Sequence, residues 1–127
     1  MARIVVTGGT IECPHGGKLT LSSGADSLQV DGASAVTGPM VVGLAFGSPE
    51  APVPNQVAPC PVKTSSSPPV PSPCISTLAP TSGLANVLAV DQQPVLLETA
   101  SGPVVNLAAP GGTWKVGDPG QRLLEEG

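Results

Sequence analysis

The sequence is poor in most of what ordinary cores and surfaces are built from. It holds one Phe, one Trp and no Tyr, and only 11% of its residues are charged. Five basic residues against nine acidic ones leave a net charge of -4 with no basic run, so nothing here would neutralise a phosphate backbone. Nucleic acid is therefore not an expected partner. From Gly32 to Val90 the only charges are Glu50 and Lys63. A surface so apolar and uncharged is expected to be covered in part by another chain. No run approaches the ~18 apolar residues of a membrane span. The start, MARIVVTGG, reaches Gly8 after too short an apolar stretch for a signal peptide. The expectation is synthesis and folding in the cytoplasm, where cysteines stay reduced. Three cysteines also cannot pair off completely, which favours metal ligation over a disulfide framework.

Helix signals are nearly absent, because sixteen Gly and sixteen Pro leave few windows of ten residues without a breaker. At 127 residues the chain is read as one all-β domain, residues 1–127, made of short hairpins. β-prone runs recur at RIVV (3–6), TIEC (10–13), KLTL (18–21), SLQV (27–30), MVVGLAF (40–46), VLAV (87–90), PVLLET (94–99), VVNLA (104–108) and TWKV (113–116). Gly8-Gly9, Gly16-Gly17, Asp31-Gly32, Gly111-Gly112 and Asp118-Pro119-Gly120 punctuate them as turns. Trp114 reads as a core or interface anchor. The last residues, 122–127, are expected to form a loose or partner-bound tail.

Residues 49–80 differ in character, holding ten of the sixteen prolines. So many missing amide donors favour extended, polyproline-like backbone, and composition alone is equally consistent with a disordered linker. Cys60 and Cys74 argue against a linker, since each lies beside proline in Ala-Pro-Cys-Pro and Ser-Pro-Cys-Ile. The chain's only histidine, His15, stands two residues after Cys13 in CPHGG. Together these four residues make a Cys3His set, a tetrahedral zinc composition. Three thiolates and an imidazole are soft or borderline donors that leave no open water position, so the expected role is structural. In a continuing strand Cys13 and His15, at i and i+2, would face one side with Pro14 turned away. The segment 49–80 would then be a strap pinned at two points against the first hairpin. Iron is the rival ion. The plain alternative is that the cysteines are small buried hydrophobes and the histidine satisfies a backbone carbonyl.

Catalysis finds little support. Glu12 beside Cys13 lacks the His-x-Glu and Pro-Cys-x-x-Cys pairs of zinc deaminases. A Cys–His nucleophile would have to share the single histidine, and prolines remove amide donors on both sides of Cys60. The glycine turns lack the Lys-Ser/Thr and helix of a phosphate loop. No catalytic residue and no small-molecule substrate are expected.

The set CPHGGKLTL (13–21), APCPV (58–62), PCI (73–75), VLAVDQQPVLLETASG (87–102) and GTWKVGDPGQ (112–121) resembles the PAAR-like spike-tip proteins of contractile injection systems and phage tails. The likeness runs from about Ile4 to Gln121. It implies a small cone of short strands whose broad base caps a trimeric β-helical spike, with a metal ion near the apex. The matching ligand positions are Cys13, His15, Cys60 and Cys74. It further implies one tip per spike trimer, transient contact with a target membrane and a place in an injection particle. With few residues after Gln121, no toxin extension is expected. The runs MVVGLAF and PVLLET are candidates for the docking face, although alternation assigns at least half of their side chains to the core. A free-standing zinc β-domain that binds a protein as an adaptor is the second reading.

Overall fold

The structure, a computed structural model, describes residues 2–30, 32–50, 52–90, 92–106, 108, 112–121 and 125–126. Its strands are β1 (Ala2–Arg3), β2 (Thr10–Glu12), β3 (Lys18–Thr20), β4 (Ala25–Val30), β5 (Ala33–Ala35), β6 (Gln56–Ala58), β7 (Ser76–Thr77), β8 (Ser82–Val90), β9 (Gln93–Val105), β10 (Thr113–Asp118) and β11 (Glu125–Glu126). One 3-10 turn covers Gly38–Val41. The fold is all-β, as the scattered breakers require. Among the described residues no helix is long and apolar enough to cross a membrane. The main sheet runs β6-β3-β2-β10-β9-β7, with β8 also paired to β9, and every pairing is antiparallel. Trp114 is fully buried and its indole N–H donates to the Leu78 carbonyl at 3.0 Å, which fixes it as a core anchor.

Three short segments, residues 4–6, 35–37 and 95–97, close on one another in a ring. The Val5 amide donates to the Leu96 carbonyl (2.8 Å), the Leu96 amide to Val36 (2.7 Å), and the Val36 amide back to Val5 (2.9 Å). The bridges repeat the cycle. Ile4 stands opposite Leu97, Val95 opposite Thr37 and Ala35 opposite Val6, so the first residue of each segment faces the third residue of another. One chain thus carries a local threefold arrangement. Side chains alternate across it: Val5, Val36 and Leu96 enter a core cluster with Ile11, Phe46, Trp114 and the three cysteines. Ile4, Val6, Ala35, Val95 and Leu97 enter a second cluster with Val30, Ala85 and Val90. Because both faces are covered, PVLLET reads as a continuous apolar run rather than an alternating one.

Each ring segment continues an antiparallel ribbon. In β4–β5, Val30 faces Ala33 with Gly32 just before it, and in β8–β9, Val90 faces Gln93 with Gln92 just before it; Asp31 of the expected Asp31-Gly32 turn and Asp91 lie outside the described residues. The second turn residue of each is left-handed, with φ 82° at Gly32 and 69° at Gln92. Both ribbons also slip identically. Gln29 faces Ser34 but Ala25 faces Ala35, and Ala89 faces Pro94 but Leu84 faces Leu96, so the first strand holds three extra residues each time. The third ribbon is β1–β11, with Ala2 opposite Glu126 and Arg3 opposite Glu125. Ala2 precedes Ile4 by two residues, as Ala33 precedes Ala35 and Gln93 precedes Val95.

Several expectations need correction. MVVGLAF is not a strand: Pro39 seeds the 3-10 turn and Gly43 is left-handed at φ 83°. From there the backbone bonds to the strap, through Gly43 and Leu44 to Thr77 and through Phe46 to Cys74. Much of MVVGLAF and PVLLET is core, with Val41, Phe46, Val95 and Leu96 fully buried and Leu97 9% exposed, while Val42 stays 43% exposed. RIVV contributes only Arg3 to a strand, with Ile4–Val6 in the ring. Of the expected loose tail, Glu125–Glu126 is strand-paired; residues 122–124 and 127 lie outside the described residues, as does Gly111 of the expected Gly111-Gly112 turn.

Candidate metal centre

β2 ends at Glu12, and the chain then folds through Cys13-Pro14-His15-Gly16-Gly17 into β3. The turn is closed by the Cys13 amide donating to the Gly17 carbonyl (2.9 Å) and the Gly16 amide to the Cys13 carbonyl (3.3 Å). Gly16 is left-handed at φ 94°. Cys13 and His15 are therefore brought together by a turn and not by the pleat of a continuing strand. Pro14 is exposed, as expected for the residue between them.

The strap supplies the other two residues, and it is held by strand pairing at both ends. β6 lies against β3, with Lys18 opposite Ala58. The Cys60 amide then donates to the Gly47 carbonyl at 2.9 Å. Beyond it, Thr64 bonds to Val70 and Ser72 to Val62, a small hairpin that uses the donors prolines leave. The return leg bonds from Ile75 to Val105 and enters β7 against β9. Residues 49–80 thus include paired strands where polyproline-like backbone was expected.

The result places Cys13, His15, Cys60 and Cys74 together, every ligating atom within 4.8 Å of every other. Cys60 Sγ lies 3.9 Å from Cys74 Sγ, and Cys74 Sγ lies 3.5 Å from His15 Nδ1. A disulfide needs sulfurs about 2.05 Å apart; the three cysteines are free thiols, all buried. A tetrahedral ion with metal–sulfur bonds of ~2.3 Å and a metal–nitrogen bond of ~2.0 Å separates two sulfurs by about 3.8 Å and a sulfur from a nitrogen by about 3.5 Å. The two measured separations match that spacing, so this group could hold a metal ion.

Two groups that sequence reasoning did not assign to the site complete its surroundings. The Gly17 amide donates to Cys13 Sγ at 3.2 Å, and a Cβ at Gly17 would come within 2.9 Å of that sulfur. The buried Asn106 amide donates to Cys74 Sγ at 3.4 Å. A lone polar residue in the apolar run VVNLA was the available signal for Asn106. These donors stabilise anionic sulfur. Cys13 is pulled well below the ordinary thiol range, to about 5, first by its hydrogen bond with Cys74, against burial, and then by the His15 and Gly17 amides and by Cys60. The same contact with Cys13, reinforced by burial, raises Cys74. One thiolate forms readily at Cys13, and Cys74 ionises only against a cation.

A groove of about 240 Å³ between Leu19–Ser23 and Gly43–Ala45 contains none of these four residues. Comparison with known protein families, curated proteins and solved structures finds no match.

Proposed function

We propose that this chain is a non-enzymatic, zinc-stapled spike tip that caps the trimeric central spike of a contractile injection particle and sharpens it for puncture of a target membrane. The observation that carries the reading is the meeting of the Cys13–His15 turn with Cys60 and Cys74, at the two shoulders of the proline-rich strap. A tip must be stiff at small size, and this chain has one Phe, one Trp and no Tyr to build a core from. A structural zinc site supplies on the order of 10 kcal/mol of folding free energy at neutral pH, comparable to the whole stability of a domain. Zinc suits three thiolates and an imidazole in a closed tetrahedron better than the harder cations do, and iron is the competitor. A closed shell supplies no activated water, which is why the reading is structural and not hydrolytic.

Val57, Val70 and Ile75 lie on the strap at 57%, 53% and 47% exposure, an apolar surface suited to brief contact with a bilayer. The same side chains favour the second reading, an adaptor whose strap binds a protein. Cobalt substitution tests the closed shell: a tetrahedral thiolate spectrum unchanged by added cyanide or azide is expected, and a spectrum that shifts would mark an open catalytic position. Gold-labelled antibody on intact particles separates tip from adaptor. Label at the spike end of the tail is expected, and label elsewhere or on free chain alone would reject the tip.

A further inference from the structure

We propose that Cys60 and Cys74 are a second staple for the strap: under peroxide they join as a disulfide, which holds the two legs of the strap together when no ion does and leaves Cys13 a free thiol. The inference goes beyond the proposed function and needs neither the spike nor the membrane. Its evidence is the path of the strap. Between residues 60 and 74 the chain forms an antiparallel hairpin, with the Thr64 amide donating to the Val70 carbonyl (2.8 Å), the Ser72 amide to the Val62 carbonyl (2.8 Å) and Lys63 opposite Pro71. Continued outward, that register puts residue 60 opposite residue 74. Both legs then fasten to one dipeptide: the Cys60 amide donates to the Gly47 carbonyl (2.9 Å), and the Phe46 amide donates to the Cys74 carbonyl (3.0 Å). The backbone at each cysteine is thus held, and the two sulfurs stand 3.9 Å apart. A disulfide bond of about 2.05 Å asks them to approach by roughly 1.9 Å, which is within reach of side-chain rotation.

Cys13 is the less apt partner. Its sulfur accepts the Gly17 amide at 3.2 Å inside the turn that the Cys13 amide closes on Gly17, and a bond to it would tie that turn to a segment remote in sequence. Cys60 and Cys74 are only 14 positions apart, so the loop they close loses the least entropy. The sulfurs are buried, and the least buried member of the group is His15, whose Nδ1 lies 3.5 Å from Cys74 Sγ. A molecule the size of hydrogen peroxide reaches them past that ring. One sulfur attacks a peroxide oxygen and becomes a sulfenic acid as hydroxide leaves, and the other sulfur then displaces the oxygen it carries. Two S–H bonds give way to one S–S bond, the sulfurs lose two electrons, and the peroxide with the two thiol protons becomes two waters. With an ion bound, the sulfurs start as thiolates and the two protons come from solvent. The cation is then left with two of its four ligands.

The test takes the purified full chain, strips it of metal under reductant, removes reductant and chelator, and adds hydrogen peroxide. Remaining thiols are capped with iodoacetamide and the peptides are mapped by mass spectrometry. One Cys60–Cys74 crosslink per chain is expected, with Cys13 alkylated. In hydrogen exchange the amides of Thr64 and Ser72 should be at least roughly tenfold better protected in this product than in the reduced, metal-free chain. Zinc-loaded chain should form the crosslink at least about tenfold more slowly and release its ion in step with it, read with a zinc-binding dye. Cys13→Ser should form the same crosslink, which tests the pairing without touching either sulfur. A crosslink that includes Cys13, crosslinks between chains, or sulfonic acids with no disulfide would overturn the inference. A chain that binds zinc but never joins Cys60 to Cys74 would overturn it and leave the metal centre standing, whereas the crosslink in a chain that takes up no ion would support it and remove the metal centre.

Discussion

The two ends of this molecule are held by different forces. At the ribbon end, backbone hydrogen bonds close a ring on itself, and Ile4, Val6, Val95 and Leu97 seal one side of it. At the other end a strap rich in proline has few amides to give, and four side chains from three separate stretches converge on one point instead. Where the backbone can donate, local pairing and apolar burial suffice; where proline has removed the donors, four side chains that could hold a metal ion stand together.

The largest effect should come from metal removal. Chelation at neutral pH, or Cys60→Ser, takes away an interaction on the order of 10 kcal/mol. Hydrogen exchange should then show the amides of Cys60, Thr64 and Ser72 losing protection first, while Val5, Val36 and Leu96 stay protected. Simultaneous loss at both ends would break the comparison, because it would make the ring as dependent on the ion as the strap.

Acid should act on the same end. Cys13 ionises at about 5 in the fold, a value lowered from the ordinary thiol range. A lowered value contributes stability that is complete above the unfolded-state value, near 9, declines as pH falls, and is gone below about 5. Strap protection and metal content should fall together as pH drops from 7 through 5, with the ribbons unchanged. A strap that loosens on raising pH toward 9 would reverse the sign and refute the thiolate assignment.

Ile4→Ala probes the other end. It removes a fully buried side chain from the ring and should cost about 2–5 kcal/mol in denaturant unfolding, with metal content retained. Asn106→Ala is subtler, since it deletes a donor to Cys74 Sγ and should lower metal affinity roughly 10–100-fold in competition with a chelating dye. Smallest is Glu50→Gln, which breaks the exposed pair with Lys63 (3.5 Å) and should change stability by less than about 1 kcal/mol.

The all-β class and the four site residues are legible in the sequence for one reason: they rest on residue types whose chemistry is nearly unconditional. Glycine and proline break helices wherever they stand, and a chain's only histidine and cysteines have few other uses. Long-range pairing is not legible. MVVGLAF has the composition of a strand, but Pro39 and Gly43 bend it and its hydrogen-bond partners lie more than thirty residues away at Thr77. Within 49–80, β6 and β7 exist because β3 and β9 present free edges, which local composition does not reveal. The ring is hidden from local composition in the same way, although Ala25-x-x-Leu28-x-Val30-Asp31 recurs in the sequence as Ala85-x-x-Leu88-x-Val90-Asp91. Cys13 and His15 do meet, but through a turn that does what a pleat was expected to do.

X-ray absorption at the metal edge of the purified, unoxidised chain tests the central claim most directly. The account predicts one ion per chain with three sulfurs near 2.3 Å and one nitrogen near 2.0 Å, and a shell that loses one sulfur in Cys60→Ser. Protein that carries no stoichiometric ion, or an ion surrounded only by oxygen and nitrogen, would contradict it.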